Sequence, residues 1–266
     1  MPTDVLECRG SRDHLVDAAA ATGSSMLCHH AAVAEERADL CNMVDDIMRA
    51  CEADEYWLPD PDMRASLHGL VADDPRSVTV GLAYLWDSSF IEHPNVFQPA
   101  VPAVRYVLAL LDRKVGGDTV IRSPDGRLQP LRGHLLTWLS FVAEAVGDVR
   151  VRKFVELAGH SPLGYPNSAW QAVRQLRSQM YDAAAAFLDD PDPRVRQEAI
   201  AAAVVLVRVP ELAVHREHVG AAARAFLDAC TDPVRRRWAE EAFHELSPTY
   251  VADEPGRTQP ELRRMN

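Results

Sequence analysis

The sequence predicts an all-α protein with one short irregular insertion, and three observations predict it. Between 37 and 188 apolar residues return every three or four positions, the spacing of helices with one buried face. Asp-Pro pairs and an Asn-Ser pair stand where several of these stripes begin, supplying a capping oxygen and a proline for the first turn. The pattern changes at 116–130, where β-branched residues flank turn chemistry.

Taken in order, Leu40, Met43, Val44, Ile47, Met48 and Cys51 predict a helix over 37–55, preceded by an Ala-rich helical stretch at 17–21 that Gly23-Ser24-Ser25 breaks. Leu58-Pro59-Asp60-Pro61-Asp62 reads as a linker from which a helix starts at Pro61 or just after, with Asp60 as cap. It divides an N-terminal segment, 1–57, from a repeat domain, 58–246. Asp74 caps a helix to Trp86 that turns Val78, Leu82, Leu85 and Trp86 inward. After a rigid connection at 93–99, a helix over 99–113 carries Val101, Val104, Leu108 and Leu111. Ser123-Pro124-Asp125-Gly126 is compatible with a short hairpin insertion near 116–130 and equally with a loop. Helix returns over 131–146 with Leu135, Leu136, Leu139, Val142 and Val146 on one face. Asn167 or Ser168 then caps one long helix over 169–188, striped by Trp170, Val173, Leu176, Met180, Ala184 and Phe187. Trp86, Trp138, Trp170 and Trp238 are assigned to the core. Tyr56-Trp57 is either a packing staple or an exposed contact, and 247–266, with three prolines, reads as a flexible tail.

One unit recurs. Phe187-Leu188-Asp189-Asp190-Pro191-Asp192-Pro193-Arg194-Val195-Arg196 leads into Glu198-Ala199-Ile200-Ala201, and about 40 residues later Phe226-Leu227-Asp228 and Asp232-Pro233-Val234-Arg235 lead into Trp238-Ala239-Glu240-Glu241. Leu70-Val71-Ala72-Asp73-Asp74-Pro75-Arg76 is a weaker copy. In each, a helix ends in an apolar pair, Asp caps the next helix and Pro opens it, while small alanines permit close packing. The unit and its period resemble the HEAT repeat, specifically over 169–246 and more loosely over 58–157. The resemblance implies an α-solenoid of stacked hairpins and a protein-binding surface, and it brings no substrate with it.

Composition narrows the function classes. At 47% apolar and 25% charged residues the chain falls among ordinary globular proteins. Charged residues or prolines interrupt every hydrophobic run, so no membrane span is expected, and the acidic opening Met1-Pro2-Thr3-Asp4 points to a cytoplasmic location. Five cysteines without C-x-x-C spacing read as reduced thiols. The net charge of −11 resides wholly in residues 1–74, which hold 16 Asp and Glu against 5 Lys and Arg; the remaining 23 of each sign cancel. Such a block serves solubility, repels nucleic acid or attracts a basic partner. Lysine is confined to Lys114 and Lys153 beside abundant Arg and Ala, a composition typical of high-GC bacterial genes.

The sequence offers no G-x-S-x-G, P-loop or G-x-G-x-x-G, and no catalytic residue, cofactor or metal ligand is assigned. Cys28-His29-His30 lacks a second ligand cluster at matching spacing. Asp45-Asp46 is followed by Arg49 rather than a further carboxylate, which removes a diphosphate-binding reading. His215 and His218, with Glu240, Glu241 and His244 on the next helix, are weighed as a metal site against ordinary surface residues. Arg150, Arg152, Lys153, Arg194, Arg196, Arg235, Arg236 and Arg237 are weighed as a DNA-gripping edge, as in DNA glycosylases of HEAT-like fold, against turn arginines paired with neighbouring aspartates. The expectation is therefore a non-enzymatic scaffold, one form being a toxin neutraliser. It binds another protein through Asp39, Asp45, Asp46, Arg194, Arg196, Arg235 and Arg236, ahead of a DNA-binding enzyme or a metal-binding helical protein.

Overall fold

The computed structural model describes residues 35–54, 60–87, 90–92, 95–113, 119–122, 126 and 128–246. Among these the chain is mostly helical. The first helix, α1, covers 35–53 and is followed by α2 (Met63–Gly69), α3 (Pro75–Asp87), the paired strands β1 (Ile91–Glu92) and β2 (Asn95–Val96), and α4 (Ala100–Arg113). Strands β3 (Val120–Arg122) and β4 (Leu128–Pro130) lead to α5 (Leu131–Ala145) and α6 (Asp148–Ala158). After a 3-10 turn at Pro162–Gly164 come α7 (Ala169–Gln175), α8 (Arg177–Ala185) and α9 (Pro193–Leu206). A second 3-10 turn at Pro210–His215 precedes α10 (Arg216–Ala229) and α11 (Pro233–Glu245).

The apolar stripes build one continuous core, reaching from Leu40 and Val44 on α1 to Ala223 on α10 and Ala239 on α11. Helices pack as sequential pairs, α2 with α3, α8 with α9 and α10 with α11, while α5 against α9 is the most extensive contact and α9 also touches α10 and α11. Glycine sets the spacing of the first pair. A β-carbon at Gly69 would lie 2.5 Å from the Ser77 carbonyl oxygen and one at Gly81 2.5 Å from that of Ser66, so any side chain there would force α2 and α3 apart. Long-range hydrogen bonds join the pairs: the Tyr106 hydroxyl donates to the Leu67 carbonyl at 2.9 Å and the Trp138 indole to the Leu85 carbonyl at 3.2 Å.

The Asp-Pro turns share one backbone geometry. Val78, Arg196 and Arg236 each donate their amide to the carbonyl of Asp74, Asp192 and Asp232 four residues back, at 3.2, 3.0 and 2.9 Å. At 120–130 the chain forms the hairpin rather than the loop, with Ile121 opposite Gln129, and Gly126 in the turn has a φ of 84°. Buried His134 fastens this hairpin to α5, its Nδ1 2.9 Å from Gln129 Nε2 and its Nε2 3.3 Å from the Ile121 carbonyl.

Several expectations are corrected. Asp60 does not cap the helix that begins just after Pro61, at Met63: its carboxylate accepts from the Asp62 amide and holds 60–62 as a turn, which leaves Asp62 at the cap position. The single helix over 169–188 divides at Leu176, whose amide bonds the carbonyl three residues back rather than four, and Ser168 rather than Asn167 is its cap, accepting from the Gln171 amide. On α4 the buried face is Ala103, Val104, Tyr106, Val107, Leu110 and Leu111, with Val101 and Leu108 at its margin. The connection at 93–99 includes strand β2, paired with β1. Helix α6, which no stripe announced, buries none of its residues and stops at Gly159 with a φ of 75°.

The N-terminal Ala-rich stretch, Cys28-His29-His30, Tyr56-Trp57 and the tail 247–266 lie outside the described residues. No described helix is long and apolar enough to cross a membrane.

Candidate functional site

The described part of the acidic block lies along α1, the turn before α2 and the turn before α3. Leu40, Val44, Ile47 and Cys51 face the core, which directs Asp39, Asp46 and Glu52 to solvent. The few arginines of this region are already engaged: Arg64 pairs with Asp45, Arg49 with Asp46 and Arg37 with Asp73. The carboxylate of Asp54 accepts from the Gln98 amide at 3.2 Å, tying the end of α1 to the start of α4. Cys51 is buried with its sulfur 3.7 Å from that of Met63, and burial, before the nearby carboxylates, pushes its thiol up to about 12. That keeps it a protonated core residue.

The turn arginines are dispersed. Arg194 folds back on its own cap, with Nη2 2.7 Å from Asp192 Oδ2 and Nε 3.1 Å from Oδ1, while Nη1 donates to the Leu128 carbonyl of the β hairpin. Hydrogen bonding from the Arg194 side chain, ahead of that from its backbone, holds the Asp192 carboxyl below its ordinary value. Arg132 pairs with Asp190 at 3.2 Å beside it. Arg196 is half-buried, its Nε enclosed without a hydrogen-bond partner, and Arg236 bonds Glu240 along α11. The side chains of Arg235 and Trp238 lie outside what the structure describes. Arg194 and Arg236 thus carry carboxylates of their own.

The histidines are likewise occupied. The Tyr181 ring stacks on His215 at 4.2 Å between centroids, and its hydroxyl lies 3.4 Å from His218 Nδ1. Among the described residues no three His, Cys, Asp or Glu side chains gather closely enough to hold a metal ion.

A cleft of about 410 Å³ opens where the α7–α8 junction meets both 3-10 turns. Leu163, Val209 and Leu212 form its apolar wall, while Gln171, Arg174, Gln175, Ser178 and Glu211 line it with polar groups. Arg177, only 6% exposed, lies among them. Its Nη2 donates to the Val146 carbonyl at 2.8 Å, and among the described residues no carboxylate comes within ion-pair distance. Burial first, then the positive charge of Arg174, push its pKa down to about 10, against the pull of Asp148 and Glu211. Arg174 itself bonds Asp148 at 2.5 Å.

The readings drawn from motifs passed over this cleft, yet the sequence contains a signal for it. Arg177 stands four residues after Val173 and three before Met180, inside the stripe that buries Trp170, Val173, Met180 and Ala184. Gln171, Arg174 and Ser178 follow one another at the same helical spacing. A charged residue in an apolar stripe is the mark. No family model, curated protein or solved structure matches the chain.

Proposed function

We propose that the chain is a binding protein built as an array of HEAT-like helical hairpins, whose outer surface takes up another protein. The observation that carries this reading is the recurrent turn: Asp74-Pro75, Asp192-Pro193 and Asp232-Pro233 each open the second helix of a packed pair with the same backbone bond. The second helices of two successive pairs, α9 and α11, also lie against one another, as a stack of hairpins requires. An array of this kind presents a long surface of exposed side chains, the setting in which proteins of this architecture bind partners. Asp39 and Asp46 on the exposed side of α1 supply its acidic part. Carboxylates hold Arg194, Arg236 and Arg237, which lowers the charge that edge offers a phosphate backbone, and the excess acidity of the chain favours a protein over nucleic acid as the partner.

The test is affinity capture of the tagged chain from its source, at low and moderate salt, beside a variant carrying Asp39→Asn, Asp45→Asn and Asp46→Asn. One protein recovered at near-equal stoichiometry, and lost with the variant or with salt, is the expected result. Recovery of the tagged chain alone under every condition refutes the reading.

A further inference from the structure

We propose that the cleft between the α7–α8 junction and the two 3-10 turns binds a small organic acid, with Arg177 anchoring its carboxylate. Guanidinium groups inside proteins are paired, because an isolated charge away from water is costly, and this holds whether or not the hairpins form an array. Arg177 has five N–H donors. One is engaged with a neutral carbonyl at 2.8 Å, and the donors that remain find no protein acceptor among the described residues. No atom of its side chain is both fully enclosed and without a bond, so the unengaged donors keep some access to solvent, and the residue lines the cleft. A carboxylate there completes the bidentate pairing that a guanidinium is built for.

The rest of the cleft describes the rest of the ligand. Arg174, one turn before Arg177, adds a second positive charge that Asp148 only partly offsets, since that carboxylate is 55% exposed and bonds it from outside the cleft lining. Leu163, Val209 and Leu212 present a wall for an apolar body, and Gln171, Gln175 and Ser178 reach a further hydroxyl or amide. About 410 Å³ suits a molecule of modest size and lies at the lower end of small-ligand sites. A free acid fits such a volume better than a folded partner, of which a chain terminus alone could enter. Glu211, exposed at the cleft, opposes an incoming anion and so sets its affinity.

The probe is phenylacetate, an acid with a small apolar body, titrated calorimetrically into the full chain. Saturable binding is expected. It should fall at least tenfold in Arg177→Met, which keeps the length and removes the charge, and equally in Ser178→Phe, which fills the cleft from an exposed position. Glu211→Gln should tighten binding several-fold. Thermal melts of each variant establish that it is folded, and Ser178→Phe tests the site even if Arg177→Met does not fold. Equal binding of 2-phenylethanol, which lacks the charge, overturns the assignment. So does absence of saturable binding, or binding indifferent to Ser178→Phe and Glu211→Gln. Binding of a short peptide with a free C-terminal carboxylate, but not of its amide or of phenylacetate, also overturns it and assigns the cleft to a protein terminus.

Discussion

The turn into α9 and the turn into α11 are written in nearly the same residues, Asp192-Pro193 and Asp232-Pro233, and open with the same backbone bond, yet their helices live in different surroundings. Helix α9 is covered by α5, α8 and α10 and touches α11, and it buries Val195, Ala199, Ile200, Ala202, Ala203, Val204 and Leu206. Helix α11 packs on α10 and α9, with Ala239 as its buried residue among those described. Seven residues past each proline stand Ile200, fully buried, and Glu240, exposed. A shared turn fixes where a helix begins; the neighbours decide how much of it the fold needs.

That difference gives the largest expected effect. Ile200→Ala removes side-chain atoms from a site with no solvent exposure, and the hole stays because α9 is held on several sides, so the loss should be about 2–5 kcal/mol. Glu240→Ala at the matching position of α11 should change stability by less than about 0.5 kcal/mol. Urea denaturation of both variants measures the contrast. Equal costs would mean that α11 is as deeply integrated as α9.

The cap offers a smaller effect with its own signature. Asp192→Ala deprives the Arg194 amide of its 2.8 Å acceptor and Arg194 of its bidentate partner, a loss of about 1–2 kcal/mol at neutral pH. Because folding lowers the Asp192 pKa, its contribution is complete above the unfolded value, roughly 4, and disappears as pH falls through the folded one. The deficit of the variant should therefore shrink between pH 5 and pH 2. A deficit that holds constant down to pH 2 would show that the charge contributes nothing. Asp192→Asn, which retains a capping oxygen, should fall between the two proteins.

The same pair of turns shows how much the sequence disclosed. Caps and stripes carried the helices well: Val78, Leu82 and Leu85 of α3, Leu135, Leu136 and Leu139 of α5, and the stripe from Trp170 to Phe187 are all buried where their periodicity placed them. Periodicity was a poorer guide on α4, where Tyr106 and Val107 are buried because helices pack on more than one side. It was silent on α6, whose Val149, Val155 and Leu157 are exposed while only Val151 and Phe154 rest, half-buried, against the core. Spacing cannot report which side chains meet across helices, and the cleft depends on that. Gln171, Arg174 and Arg177 come from one stretch, but Leu163, Val209 and Leu212 reach it from two 3-10 turns nearly 50 residues apart.

The smallest effect belongs to the exposed arginines of α11, and its sign is informative. Arg236 and Arg237 each reach the glutamate four residues on, Glu240 and Glu241, at 3.2 Å. Exposed pairs at this spacing contribute about 0.3–0.5 kcal/mol at best, and here the order is the weaker one, with the cation toward the N-terminus. Both glutamates precede the last turn of α11, so the helix dipole hardly reaches them, and solvent screening leaves the exposed pairs little net effect. Glu240→Gln with Glu241→Gln should therefore leave the melting temperature within about 1 °C at low salt and unchanged by added salt. A loss of several degrees that salt abolishes would show that these pairs hold α11 in place and narrow the contrast with α9, whose Arg194 is closed on Asp192 and only 31% exposed.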